Sequence, residues 1–120
     1  MLTETEAEHF VSEWLAAWNA RDLERILAHW EDDCEFVSPL AARIMNDASG
    51  KVRGKDALRA YWKLGLARSP DLRFELDAVL VGQDSLVIAY RNHRGQQCAE
   101  WLRLGADGRA VQGAAHYTPL

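Results

Sequence analysis

The chain has two cysteines in 120 residues, and their isolation narrows the field at once. Cys34 and Cys98 stand far apart with no CxxC or Cys/His spacing, so they read as buried thiols, not as a disulfide, a zinc site or a redox pair. The four histidines, His9, His29, His93 and His116, show neither HxH nor HExxH spacing, and neither a metal nor any other cofactor is expected. No apolar run is long enough to cross a bilayer, and the N-terminus lacks the charged-then-apolar layout of a secretion signal. These features predict a cytoplasmic protein with no membrane partner. Positive charge is scarce too: 14 Lys and Arg against 18 Asp and Glu leave a net charge of −4, and the arginines are scattered, which excludes nucleic acid as the main partner.

What is present is a composition 48% apolar and 27% charged, ordinary for one globular domain, here residues 1–120. Residues 10–40 organise it. Phe10, Val11, Trp14, Leu15 and Trp18 recur at helical spacing, with Glu8, Ser12, Glu13 and Asn19 on the other side. Thr5 followed by Glu8 reads as a capping box, placing the helix start near Thr3 to Thr5. Asp22 can cap a second, shorter helix whose inward residues are Leu23, Ile26, Leu27 and Trp30. Trp14, Trp18 and Trp30 thus share one interior, first as core and secondly as the wall of a pocket.

Glu35–Ser38 reads as a strand stopped by Pro39, and residues 41–53 as an irregular loop edging a cavity. A third helix is expected over about 55–67, with Leu58, Tyr61, Trp62 and Leu66 inward. From Leu72 the period changes to two, and four strands follow. Taking Arg94-Gly95 and Asp107-Gly108 as two-residue turns sets Ala89 and Ala115 opposite Glu100. One face then holds Val87, Ala89, Arg91, Cys98, Glu100, Leu102, Gly113, Ala115 and Tyr117. The other holds Leu86, Ile88, Tyr90, Trp101, Ala114 and His116. Both faces are apolar, which calls for helices on one and a second subunit on the other.

This order of elements resembles the cone-shaped α+β fold of the nuclear transport factor 2-like (NTF2-like) superfamily, in particular its SnoaL-like branch. The residues that carry the resemblance are Trp14-Leu-Ala-Ala-Trp-Asn-Ala-Arg-Asp-Leu, Trp30-Glu-Asp-Asp, Gly54-Lys-Asp-Ala-Leu-Arg-Ala-Tyr-Trp and Asp107-Gly-Arg-Ala-Val. It implies three helices on the concave face of a curved, mainly antiparallel sheet, with the Glu100 face concave. The ketosteroid isomerase pattern within that superfamily puts its oxyanion-donating tyrosine at Trp14, its base aspartate at Ser38 and its protonated aspartate at Glu100, so only the last keeps its chemistry.

The expectation is therefore a protein that binds a small hydrophobic molecule, with Trp14, Trp18, Ser38, Tyr61, Arg91 and Tyr117 around it and Glu100 as acid or base in a proton transfer such as isomerisation, cyclisation or dehydration. A structural ion pair between Glu100 and Arg91 is the competing role for that carboxylate. The alternative function is a non-catalytic module acting through its outer sheet face. A homodimer through Ile88, Tyr90, Trp101 and His116 fits either reading.

Overall fold

The first helix, α1 (Glu4–Asn19), starts within the expected range, but its capping box is Thr3–Glu6, two residues before Thr5–Glu8: the Thr3 hydroxyl accepts from Glu6 N at 3.1 Å while Glu6 Oε1 accepts from Thr3 N at 3.1 Å. The computed structural model describes residues 1–119. After α1 come α2 (Leu23–Leu27), β1 (Trp30–Val37), α3 (Pro39–Ile44), β2 (Lys51–Arg53), α4 (Lys55–Arg68), β3 (Glu75–Val81), β4 (Ser85–Arg91), β5 (Gln97–Leu104) and β6 (Ala110–Tyr117). The expected loop at 41–53 thus contains a short helix and an edge strand. Ser38 caps α3, and Pro39 sits in the first turn, where its missing N–H costs nothing. Gly50, at φ +64°, closes the turn back to the sheet, where a Cβ would lie 2.6 Å from the Ser38 carbonyl.

The Asn19-Ala20-Arg21-Asp22 stretch ties the helices to the sheet. Asn19 Nδ2 donates to Phe74 O at 3.0 Å and its Oδ1 accepts from Phe74 N at 2.8 Å, copying a strand partner with a side chain. Arg21 adopts φ 58°, and its guanidinium donates to Leu66 O and Ser69 O, both at 2.7 Å, closing the C-terminal end of α4. Asp22 caps α2, accepting from Arg25 N at 3.2 Å.

The curved sheet has six strands in the order β2-β1-β6-β5-β4-β3, all pairs antiparallel except β1 with β6. Around the β5–β6 turn Gly105 N donates to Arg109 O at 2.8 Å, so the loop has three residues, not two; a bulge beside Leu104 then restores the expected pairs Glu100–Ala115 and Leu102–Gly113. No bulge rescues the β4–β5 pairing. Asn92 Oδ1 accepts from Arg94 N and Gln96 N, both at 3.0 Å, and Asn92 N donates to Gln96 O at 3.1 Å. The loop is therefore His93-Arg94-Gly95, with Gly95 at φ +75°.

One extra loop residue turns every β4 side chain over. Ile88, not Ala89, faces Glu100, and Tyr90, not Arg91, faces Cys98. Leu86, Ile88 and Tyr90 are buried under the helices, while Val87, Ala89 and Arg91 belong to the convex face. The alternation expected for Leu72, Phe74, Leu76, Ala78 and Leu80 also breaks, at a bulge between Leu76 and Ala78, and Leu80 on this edge strand is 56% exposed.

Between helices and sheet the core is aromatic. Trp14 stacks on Phe74 with ring centroids 5.8 Å apart, Phe74 and Tyr90 approach to 4.4 Å, and Trp62 meets Trp18, Phe36 and Trp30 at 5.2, 5.5 and 5.6 Å. Gly113 is required by this packing: a Cβ there would lie 2.6 Å from the Trp30 ring and 2.8 Å from the Leu102 side chain.

Candidate functional site

Glu100 stands in the middle of β5, on the concave face, between Ile88 of β4 and Ala115 of β6. Only 6% of the residue is exposed, and its Oε2 has no hydrogen-bond partner among the described residues. Burial alone pushes its carboxyl up to about 8, because no guanidinium, ammonium or imidazolium stands near enough to hold the charge. At neutral pH it is mostly a neutral acid, able to donate one hydrogen bond.

The compartment around it is made of hydroxyls and a thiol. Burial first, and the Glu100 charge after it, raise the pKa of Tyr61 on α4, Tyr90 on β4 and Tyr117 on β6. The same two causes raise the Cys98 thiol to about 11. Ser38, buried at the end of β1, lies beside the hydroxyls of both Tyr61 and Tyr117, while its Oγ accepts from Leu40 N at 3.1 Å. Ser38 and Glu100 are the buried polar residues of the described chain.

Of the residues singled out from the sequence, Ser38, Tyr61 and Tyr117 thus gather around Glu100. Trp14 and Trp18 are buried in the aromatic core, and Trp18 Nε1, like Trp30 Nε1, is a buried donor without a partner among the described residues. Arg91 does not belong to the group. It is exposed on the convex face, for the register reason given above, so the Glu100–Arg91 ion pair does not exist. Tyr90 and Cys98 share the compartment with Glu100; Tyr90 was set on the wrong face, and the signal that would have corrected it is Asn92, whose side chain lengthens the turn.

The convex face is open. A groove of about 490 Å³ runs between Val87, Ala99, Trp101, Ala114 and His116. A second of about 540 Å³ continues to the sheet's end, past Asp77, Arg91 and Gln97 to Cys98 and Tyr117. Trp101 and His116 are on this face as expected, but Ile88 and Tyr90 are not. Cys34 and Cys98 are free and buried, and among the described residues no three His, Cys, Asp or Glu side chains are placed to hold a metal. No helix among those residues is long and apolar enough to cross a membrane.

A six-stranded, curved, mostly antiparallel sheet with helices laid over one face is the NTF2-like α+β fold. The chain belongs to the SnoaL-like domain family, whose model matches residues 11–118. It is similar over 98% of its length, and 98% of the other chain, to a SnoaL-like protein of unknown function from Burkholderia thailandensis, with 42% identity and a TM-score of 0.94. A candidate isomerase of the SnoaL-like family from Agrobacterium tumefaciens shares 19% identity over 96% of this chain and 99% of its own, TM-score 0.75. TerC, co-crystallised with polyporic acid, shares 17% identity over 94% of this chain and 92% of its own, TM-score 0.75. These last two likenesses are of fold alone. No protein with a curated description matches the chain.

Proposed function

We propose that this SnoaL-like protein binds a small hydrophobic molecule against Glu100 and moves a proton on it, in an isomerisation, cyclisation or dehydration. The observation that carries the reading is a carboxyl fully enclosed by apolar walls and phenols, without a cation to pair it and with one oxygen unpartnered. Leaving such a group unsatisfied costs on the order of 1–3 kcal/mol, which core packing does not require of a strand whose neighbours are Ile88 and Ala115. A neutral acid near pH 7 is suited to protonate a ligand oxygen or, once ionised, to take a proton from carbon. Tyr61, Tyr117 and Ser38 supply hydroxyls that orient the ligand, and Trp14 and Trp18 supply flat apolar area. The fold is shared with a candidate isomerase and with a protein crystallised with polyporic acid, which is in keeping with a small-molecule site in such a fold.

Native mass spectrometry of the purified protein, followed by the same measurement on Glu100→Gln, tests it. A co-purified small molecule retained by the wild type and lost by the variant is the expected result. Equal retention by both removes Glu100 from the site.

A second reading has its own support. The cone interior is densely filled by aromatic side chains, and the grooves around Trp101 open on the convex face. In that reading the protein is a module working through this face, with a second copy laid across Trp101 and His116. The two free, buried thiols suit a reducing compartment such as the cytoplasm.

A further inference from the structure

Glu100 is enclosed, yet a ligand must reach it, and the walls of its compartment are not equally fixed. Tyr61 is carried by α4 and packs near Phe36, with ring centroids 6.3 Å apart. Tyr90 lies in an interior strand beneath Trp14 and Phe74. Cys98 and Ser38 are almost fully buried. Tyr117 differs from all of these. It is partly exposed, it is the last residue of β6, and its pair with Cys98 is the last of the β5–β6 ladder. Beyond it the backbone is held by Thr118 N and Oγ1 donating to Gln97 O at 3.0 and 3.3 Å. Its side chain packs against the core, with its hydroxyl beside Ser38 and Tyr61, at the partly exposed end of the β5–β6 ladder.

We propose that Tyr117 is the movable wall of the Glu100 site, swinging its ring outward at the Cys98 end of the sheet to admit the hydrophobic ligand and closing over it afterwards. The proposal rests on the reading of Glu100 as a ligand-binding group. Moving this ring starts from a partly exposed position and breaks no strand pairing, whereas moving Tyr61 or Tyr90, both almost fully buried, would open the aromatic core. The groups that face Glu100 are Tyr61 from α4, Tyr90 from β4, Cys98 from its own strand, Ser38 from the end of β1 and Tyr117 itself. None of them is charged at neutral pH, so displacing Tyr117 breaks no ion pair there.

The two cysteines make the test possible without a ligand. Both are buried, Cys98 paired with Tyr117 across the β5–β6 ladder and Cys34 on β1. Labelling with the uncharged reagent N-ethylmaleimide, read by mass spectrometry at each thiol, should find Cys98 about tenfold or more faster in Tyr117→Ala than in wild type, with Cys34 unchanged, as a local opening requires. Tyr117→Phe, which keeps the ring, should label like wild type. In the wild type itself, Cys98 labelling should be insensitive to low urea while Cys34 labelling rises with it. An unchanged Cys98 rate in Tyr117→Ala, or both thiols accelerating together, overturns the proposal. Should that variant not fold, a wild-type Cys98 rate that climbs with urea in parallel with Cys34 does the same. Ligand loss in Glu100→Gln is read separately, so failure of the site assignment and failure of the gate are distinguishable.

Discussion

Replacing Glu100 with glutamine should make the protein progressively more stable than wild type as the pH rises. In the folded chain burial pushes the carboxyl up to about 8, from an ordinary 4.5. Between those values the native state holds one proton more than the unfolded chain, so raising the pH favours unfolding. The stability associated with the neutral carboxyl is therefore full below pH 4.5 and is lost as the pH rises through about 8. At about 1.4 kcal/mol per pH unit the complete loss approaches 5 kcal/mol, an upper bound because water entering beside an ionised carboxylate would soften it. That is comparable with the whole stability of many small domains, roughly 5–15 kcal/mol. Urea unfolding followed by tryptophan fluorescence from pH 5 to 9 measures it. His29, whose pKa burial lowers, contributes the opposite slope in the acid part of that range, and it does so in both proteins. The difference between wild type and Glu100→Gln isolates the carboxyl: it should move by several kcal/mol in favour of the variant as the pH rises, on the scale of about 1.4 kcal/mol per unit. Parallel curves would show that Glu100 is hydrated or paired in solution, and would refute the reasoning that makes it a neutral acid.

Gly113→Ala should cost about 1–3 kcal/mol in urea unfolding, because its methyl meets Trp30 at 2.6 Å and Leu102 at 2.8 Å; a neutral effect would mean that this core yields easily. Arg21→Ala removes two donors from the carbonyls that end α4, for an expected loss of about 2–3 kcal/mol, while Arg21→Lys should recover only part of it because one ammonium does not copy the fork. Trp101→Asp should turn a wild-type dimer into a folded monomer by size-exclusion chromatography with light scattering; a wild type that is monomeric at micromolar concentration removes the convex-face dimer.

Three of the four helices, five of the six strands and the cone were legible in the sequence because they follow from periodicity, and because the Trp-Asn-Ala-Arg-Asp run is a set of contacts; the three-residue β2 lay inside the segment read as a loop. Asn19, Arg21 and Asp22 bind Phe74, α4 and α2 respectively, so the run marks the joint between helices and sheet. The face of β4 was not legible from Arg94-Gly95 alone. A turn's length depends on side-chain hydrogen bonds beyond the glycine and its neighbour, here those of Asn92, three residues before Gly95. The same dependence affected both hairpins, but the bulge beside Leu104 cancelled it on the β6 side, which is why Glu100 and Ala115 were paired correctly while Glu100 and Ile88 were not. The helix at Pro39–Ile44 was missed because six residues carry too little pattern to separate from a loop.

The parallel pairing of β1 with β6 bears on how quickly this chain can reach its final form. The β3–β4–β5–β6 meander closes through short turns and can assemble early, since little chain entropy is lost in bringing each strand to the next. The contacts of Phe36 with Gly113 and Val37 with Ala114 instead join an early strand to the final one, across most of the intervening sequence. Such a contact is slow to search for and yields nothing until both partners are formed, so it belongs after the main folding barrier, where mutations speed unfolding more than they slow refolding. Ser38, at the end of β1, and Tyr117, at the end of β6, meet in that same step, so the compartment around Glu100 is among the last parts of the molecule to exist and among the first to be lost on unfolding.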